Sequence, residues 1–330
     1  MTWKGKLTAL VLTYNRKEIL LQCLGSILAQ VEPADEVIVL DNGSTDGTCE
    51  YLEKSGILKH ACIFLYRQLE NNGPSAGVDT LFRLAEQRGS DWLWYVDDDT
   101  VADADALREL KIAYSENFSN PEEVGFLKSV VVSADGSPNG VPQVDLRAAP
   151  GHAETWAARL SSGLVKVRCA TFVSILVPRT TMIRVGNIYS DFRFYGEDTD
   201  FTLRTTDVLP AYLVGRSKVT HLSPEVGRFR ALAKKDPTSI DLERYYYRNN
   251  LYFRWYYYSF GRTVLYVGRC LYEALLALGA KSYPLRRMAA ILRGLASGLI
   301  LVMHGKAGPS HLSSQQQTLP LQLQPKPAPE

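Results

Sequence analysis

Three consecutive carboxylates, Asp97-Asp98-Asp99, close an apolar run of strand length, Trp92 to Val96. Adjacent acids repel one another. A divalent cation among them relieves the repulsion, because hard cations take oxygen ligands. At the C-terminal end of a parallel strand, such a cluster lies where open α/β sheets bind ligands. The chemistry this suggests is a metal ion holding a nucleotide diphosphate. The plainer reading is a solvated acidic turn followed by a helix cap.

Glu197-Asp198 forms a second acidic centre. Its neighbours Phe192, Phe194, Tyr195 and Phe201 would raise a carboxylate's pKa toward that of a useful general base. The alternative is a pair of helix N-terminal acids stabilising the dipole. His221 closes a short strand further on and is a candidate third metal ligand, although a lone histidine is usually structural. Asp41 ends another apolar strand beside a Gly-Ser-Thr-Asp-Gly turn. A carboxylate there can accept hydrogen bonds from a base or sugar edge, or can cap the next helix. The glycines of Asn71 to Gly77 let backbone approach a ligand closely, or simply make a turn.

These groups need a frame. Leu7–Leu12, Glu36–Leu40, Cys62–Tyr66 and Trp92–Val96 read as strands, with helices over Lys17–Ala29, Val78–Arg88 and Asp103–Tyr114. Near-continuous apolar strands alternating with helices mean a mostly parallel sheet covered on both faces, a Rossmann-like α/β arrangement. The polar loops Thr13–Arg16, Asp41–Thr48, Arg67–Gly77 and Asp97–Asp99 then open on one edge. Further strands are expected at Val124–Val132, Leu164–Arg168, Thr171–Pro178, Ala211–Val214 and Lys218–His221. Short helices are expected at Arg179–Val185 and from Glu197. Ser133–Ala158 reads as a loop or hairpin excursion.

A chain of 330 residues, 46% hydrophobic and 22% charged, holds one large or two modest domains. A net charge of +2 speaks against a nucleic-acid partner. Five cysteines without a C-x-x-C pair argue against a disulfide framework or zinc knuckle and suit a reducing compartment. Met1–Lys6 lacks the apolar core of a signal peptide, and no run of uncharged apolar residues is long enough for a transmembrane helix.

The character changes after about residue 225. Arg244–Phe260 carries seven tyrosines, a tryptophan and three arginines. Arg262–Ala280 and Tyr283–Met303 read as amphipathic helices. Between Arg244 and Lys306 there are ten Lys/Arg and one acid, Glu273. Aromatic and basic residues on amphipathic helices are the profile of an interfacial anchor on an anionic membrane surface. The alternatives are a core-covering helical hairpin or a homo-oligomer contact. The expected division is 1–225 catalytic, 226–304 helical and 305–330 a disordered, Ser/Gln/Pro-rich tail.

Taken in order, Thr13-Tyr14-Asn15-Arg16, Asp41-Asn42-Gly43-Ser44-Thr45-Asp46-Gly47, Asn71-x-Gly73, Asp97-Asp98-Asp99 and Glu197-Asp198-x-Asp200-Phe201-x-Leu203-Arg204 resemble the motifs of family 2 glycosyltransferases, over roughly residues 6–225. The resemblance implies a GT-A nucleotide-sugar fold. Asp41, Asn42 and the Thr13-Tyr14-Asn15-Arg16 turn would bind the nucleoside. Arg67, Asn71 and Gly73, with Asp97 and Asp98, would hold the nucleotide sugar. Asp97, Asp99 and His221 would hold Mn2+ or Mg2+ on the diphosphate. Asp198 would be the catalytic base, supported by Glu197 and Asp200, and displacement would be inverting. Many members carry Asp where this chain has Glu197. The three acids, the acid pair and His221-Leu222-Ser223-Pro224 are similar to bacterial galactofuranosyltransferases, and related rhamnosyltransferases share much of this.

Trp156 and Tyr195 are candidate sugar-stacking residues on the acceptor side, whereas Trp92 and Trp94 share a strand face and pack core. The expectation is a metal-dependent, inverting transferase at the cytoplasmic face of a membrane. Its donor would be UDP-galactofuranose, or dTDP-rhamnose as the alternative, and its acceptor a lipid-linked glycan. The rivals are a nucleotidyltransferase, disfavoured by the lack of glycine in Thr13–Arg16, and a non-catalytic nucleotide-sugar-binding scaffold.

Overall fold

Leu7–Thr13 (β1) is the strand around which the sheet is laid. The computed structural model describes residues 3–148, 155–223, 232, 234–306 and 321–323. The elements after β1 are α1 (Lys17–Leu28), β2 (Glu36–Asp41), α2 (Thr48–Ser55), β3 (Ile63–Arg67), α3 (Pro74–Gln87), β4 (Trp92–Val96), β5 (Thr100–Ala102), α4 (Ala106–Asn117), β6 (Leu127–Ser133) and β7 (Gln143–Val144). There follow β8 (Leu164–Cys169), β9 (Ser174–Pro178), α5 (Arg179–Val185), α6 (Glu197–Val208), β10 (Ala211–His221), α7 (Pro237–Tyr257), α8 (Phe260–Leu278), α9 (Pro284–Met303) and β11 (Leu321–Leu323).

Among the described residues one sheet runs β11-β3-β2-β1-β4-β9-β6-β10-β8-β7, with β5 paired to β10 off this path. The run β3-β2-β1-β4 is parallel, as apolar strands separated by helices require. Beyond β4 the sheet is mixed: β9 enters antiparallel between β4 and β6, and β6 pairs parallel with β10. Strand pleating explains the two cores. On one face Ala9, Val11, Val37, Val39, Trp92 and Trp94 meet α1, α2 and α4. On the other Leu10, Ile38, Leu40, Leu93 and Tyr95 meet α3, α5 and α6. Trp92 and Trp94 are core residues, as their alternation predicts.

Three differences from expectation have local causes. α3 begins at Pro74, because proline suits the first helical turn and Gly73 supplies the left-handed entry at φ 87°. α4 begins at Ala106, because residues 100–102 are drawn into β5 and the Asp103 N–H donates to the Lys218 carbonyl at 3.2 Å. The strands expected at 211–214 and 218–221 are one strand, β10, with a register irregularity between Val214 and Lys218.

α7, α8 and α9 form the C-terminal layer, and α7 packs closely on α9. Two glycines permit the approach. A Cβ on Gly294 would lie 2.6 Å from the Tyr247 Cβ, and one on Gly298 would lie 2.9 Å from the Arg248 carbonyl oxygen. The excursion 133–158 lies partly outside the described residues. So does the 305–330 tail, within which Leu321–Leu323 pairs antiparallel with β3 rather than remaining unpaired.

Candidate active site

Register assembles the site. Parallel pairing sets Thr13 beside Asp41 and Asp41 beside Arg67, in one row across the C-terminal ends of β1, β2 and β3. On the other flank β5 folds back on β10, so that Thr100 pairs with His221. Asp99, the preceding residue, is thereby delivered to the imidazole, with His221 Nε2 3.1 Å from Asp99 Oδ1. Asp97, Asp99 and His221 each offer a ligand atom, and these atoms lie within 4.8 Å of one another. Two carboxylate oxygens and an imidazole nitrogen at that spacing fit a divalent cation.

The third acid has a different task. Asp98 accepts hydrogen bonds from the Thr13 hydroxyl at 2.8 Å and from Arg16 at 3.1 Å. The same guanidinium reaches Asp99 at 2.6 Å, and the Ser223 hydroxyl also donates to Asp99. Thr13 and Arg16 thus join the acid cluster directly. Burial and the nearby Asp99 push the Asp97 carboxyl up to about 7. Burial likewise lifts Asp98 to about 6, against the pull of Arg16 and Thr13. Burial also acts upward on Asp99, but hydrogen bonds from His221 and Ser223, with the Arg16 charge, outweigh it and hold Asp99 below the usual range. His221 shows the reverse balance: burial lowers it, and the Asp99 carboxylate more than restores it.

At the end of β2 Asp41 is wholly buried. Its oxygens accept from the Ser44 N–H at 2.8 Å and the Cys49 thiol at 3.0 Å, and Arg67 Nε lies 3.6 Å away. It therefore orders the 41–48 turn. Asn15, in the left-handed region at φ 54°, ties that turn to the first loop by accepting from the Thr45 N–H at 2.8 Å. Tyr14 is exposed beside it. Asn42 donates to Asn71 and to the Gly73 carbonyl, both at 3.2 Å. Its Oδ1 is buried without a donor among the described residues, an acceptor available to a ligand.

The second acidic centre stands on a strained turn. Arg193 and Tyr195 hold positive φ (58° and 61°), and Gly196 follows at φ 138°. Several contacts over-determine this backbone. The Asn249 amide on α7 donates to the carbonyls of Phe192, Phe194 and Tyr195 at 3.0, 2.9 and 2.9 Å. Arg248 donates to the Asp191 and Phe192 carbonyls. Ser75 N–H donates to the Arg193 carbonyl at 3.3 Å, and Gly73 leaves room for it, since a Cβ there would lie 2.7 Å from that oxygen.

α6 then begins with Glu197, whose Oε2 accepts from the Ser75 hydroxyl at 3.2 Å and the Gly196 N–H at 3.1 Å. Burial, and then the charge of Asp198, push Glu197 upward. Burial pushes Asp198 upward too, against the Thr199 N–H bonded to it at 2.6 Å and the Lys128 charge. Asp200 points elsewhere. Wholly buried, it pairs with Arg204 at 2.7 Å and accepts from the Tyr257 hydroxyl at 2.8 Å. Arg204 in turn donates to the Val185 and Asn187 carbonyls, so the Asp-x-x-x-Arg pair latches α6 in place.

Two residues without a role from sequence connect the centres. Lys128, wholly buried on β6, donates to the Thr171 carbonyl at 3.1 Å and lies within electrostatic reach of both Asp97 and Asp198. Burial lowers its ammonium to about 8 despite both acids. The Tyr95 hydroxyl lies within electrostatic reach of both Asp97 and Glu197. The available signal is a lysine inside a strand that is otherwise apolar or serine. Ser75, Ser223 and Asn249 carried no comparable signal. Of the acceptor candidates, Tyr195 immediately precedes Gly196 and Glu197, with its ring 6.4 Å from Tyr246. Trp156 is half-buried, its carbonyl accepting from the Lys166 N–H on β8 at 3.2 Å. Pro224 of the His-Leu-Ser-Pro stretch lies outside the described residues.

The fold is of the GT-A type. The mannosyltransferase PcManGT from Pyrobaculum calidifontis, solved with GDP-Man and Mn2+, superposes with TM-score 0.52 at 19% identity, over 90% of this chain and 88% of that one. S. aureus TarS 1–349 with UDP superposes with TM-score 0.51 at 15% identity, over 89% and 70%. Residues 8–118 match the family model Glycosyl transferase family 2. Glycosyltransferase GlyA of Streptococcus pneumoniae is 32% identical over 105 residues, 32% of this chain and 14% of that protein. The matches span 14%, 22% and 27% of the lengths of the first curated relatives.

Proposed function

We propose that the chain transfers a glycosyl group from a nucleotide-sugar donor to an acceptor hydroxyl with inversion at the anomeric carbon. The observation that carries this is the joining of two acidic centres, a cation-type cluster (Asp97, Asp99, His221) and a base-type pair (Glu197, Asp198), by the shared neighbours Tyr95 and Lys128. Such proximity lets one centre hold the leaving diphosphate while the other takes the acceptor's proton.

Asp97, Asp99 and His221 would hold the ion, and the mixed oxygen and nitrogen donor set favours Mn2+ over the oxygen-seeking Mg2+. When bound, the ion supplies positive charge to the diphosphate. Thr13, Arg16 and Asp98, already bonded to one another, would face the nucleotide. Asn42 Oδ1, Asn71, Arg67 and the Gly73 backbone supply the donor loop, with Tyr14, Asn15 and Asp41 shaping the nucleoside side. Asp198 accepts the acceptor proton as the acceptor oxygen bonds the anomeric carbon and the bond to the diphosphate oxygen breaks. Glu197, held by Ser75, orients the pair, and Asp200 with Arg204 fixes the helix. Tyr195 and Trp156 are assigned to the acceptor side.

The donor reading is UDP-galactofuranose, with dTDP-rhamnose second, and the acceptor is a lipid-linked glycan of the cell surface. The setting is the cytoplasmic face of a membrane, bound peripherally, and among the described residues no helix is long and apolar enough to cross a bilayer. The test is calorimetric titration with UDP and dTDP, each with and without Mn2+. Metal-dependent binding of UDP over dTDP supports the galactofuranosyl reading. Preference for dTDP moves it to rhamnosyl transfer, and binding of neither with metal present overturns it.

A further inference from the structure

α8 carries apolar side chains on its outer side. Phe260, Val264, Leu265, Leu271, Leu275 and Leu276 are all exposed, while Tyr266, Cys270, Glu273 and Ala277 face inward. α9 repeats the pattern with Leu285, Leu292, Leu299 and Met303, spaced by seven, seven and four residues along one stripe. Between the helices runs an apolar groove of about 600 Å3, formed with Leu251 and Trp255 of α7. So large an apolar surface marks a contact with something.

Charge selects what that contact is. Arg262 and Arg269 border the α8 face, and Arg293 borders that of α9. The single acid between Arg244 and Lys306, Glu273, is buried and accepts from the Tyr247 hydroxyl at 2.6 Å, so it offsets none of the surface charge. A second copy of the chain would bring two such basic borders together. A leaflet of anionic lipid instead supplies opposite charge to the arginines and hydrocarbon to the leucines. Since neither helix is long and apolar enough to span, both lie in the interfacial plane. Trp255, Phe260 and Tyr283, all exposed, provide aromatic groups at headgroup depth.

We propose that the outer faces of α8 and α9 dock in the plane of an anionic lipid leaflet, with acyl chains entering the groove beside Leu251 and Trp255. This deepens the membrane setting given above by naming the face and its ligand class.

The experiment uses the full chain with phosphatidylcholine vesicles, with and without about 30 mol % phosphatidylglycerol. Co-sedimentation and quenching of Trp255 fluorescence by brominated lipid are read together. A triple variant, Leu265→Glu, Leu275→Glu and Leu299→Glu, changes side chains 74%, 67% and 56% exposed, so the fold is not at stake. Its partitioning onto anionic vesicles should fall by about tenfold or more. Ile183→Glu, at a residue 68% exposed on α5, should bind like the parent. Undiminished binding by the triple variant overturns the proposal. So does a parent chain that ignores vesicles but forms a dimer that the triple variant dissolves, which makes a second copy the occupant. UDP titration on the same samples separates the two readings: docking without nucleotide binding sinks the transferase assignment alone, and nucleotide binding without docking sinks the surface alone.

Discussion

The side-chain amide of Asn249 donates to the Tyr195 carbonyl at 2.9 Å, two residues before Glu197. One amide on α7 thereby governs the entry to α6, sharing its two N–H groups among three carbonyls. The aromatic, basic helical layer supports the turn that enters α6 as well as forming a surface. Asn249→Ala should remove the amide donor from the half-buried Phe194 and Tyr195 carbonyls, while Phe192 keeps Arg248, at about 1–3 kcal/mol of stability. The turn holding Tyr195 at positive φ should relax, and turnover should fall by about 10- to 100-fold with UDP affinity kept. Thermal unfolding, calorimetry and initial rates measured on one preparation check all three. Unchanged turnover would refute the positioning role.

Asp198→Asn removes the proton acceptor at nearly constant shape. A general base contributes about 100- to 10,000-fold, so turnover should fall within that range while Mn2+-dependent UDP binding stays. Glu197→Gln should do less to the rate, because its carboxylate is engaged with Ser75 and the Gly196 N–H.

The acid cluster gives a pH dependence with a definite sign. Asp97 and Asp98 titrate at about 7 and about 6 in the fold, above their unfolded values near 4. Between those limits the folded chain holds protons that the unfolded chain has released, so stability falls as pH rises through this window. Asp99, held low, works oppositely and loses its contribution only in stronger acid. Mn2+ bound at the proposed cluster would have to displace the Asp97 proton. Its affinity should therefore fall as pH drops below about 7, and its stabilising effect should be larger near pH 8 than near pH 5.5. Melting temperatures with and without Mn2+ across this range test it. Asp97→Asn should raise the metal-free melting temperature at the alkaline end and abolish the response to Mn2+.

Gly73 meets the Arg193 carbonyl oxygen so closely that a Cβ would stand 2.7 Å from it, at φ 87°. Gly73→Ala should force the donor loop and the catalytic turn apart. Both the KM for donor and kcat should worsen, whereas a purely local effect on the loop would raise KM alone. Gly294→Val tests the helical layer in the same way. Overpacking against Tyr247 should cost about 1–3 kcal/mol and lower turnover through the displaced α7.

Much of the frame was legible because apolar runs and polar strand ends follow directly from burial on both sheet faces. Asp97–Asp99 and His221 stand out because charged groups closing apolar strands need a reason, and Glu197 because it opens a helix among aromatic residues. The mixed half of the sheet was not legible, since β9 inserts antiparallel between β4 and β6 through long-range pairing that leaves no local pattern. Asp41 reads equally as ligand contact or turn organiser until its bonds to Ser44 and Cys49 are seen. Nor does composition reveal Asn249. The change of character near residue 225 suggests a separable appendage, yet α7 carries Arg248 and Asn249 to the turn before α6 and Tyr257 to Asp200 on α6 itself. Deleting that region would therefore remove activity along with any anchor, and surface point variants are the cleaner probe.

The pairing of Thr100 with His221 has a consequence for how the chain matures. The cation cluster joins Asp97 and Asp99 to a histidine more than a hundred residues later, through the last long strand laid into the sheet. Contacts of such sequence separation close late. A half-made chain ending before β10 can offer the acids but not the imidazole, so capture of an ion by all three ligands would belong to the end of folding. Metal uptake would then serve as a clock, reporting when β10 has docked.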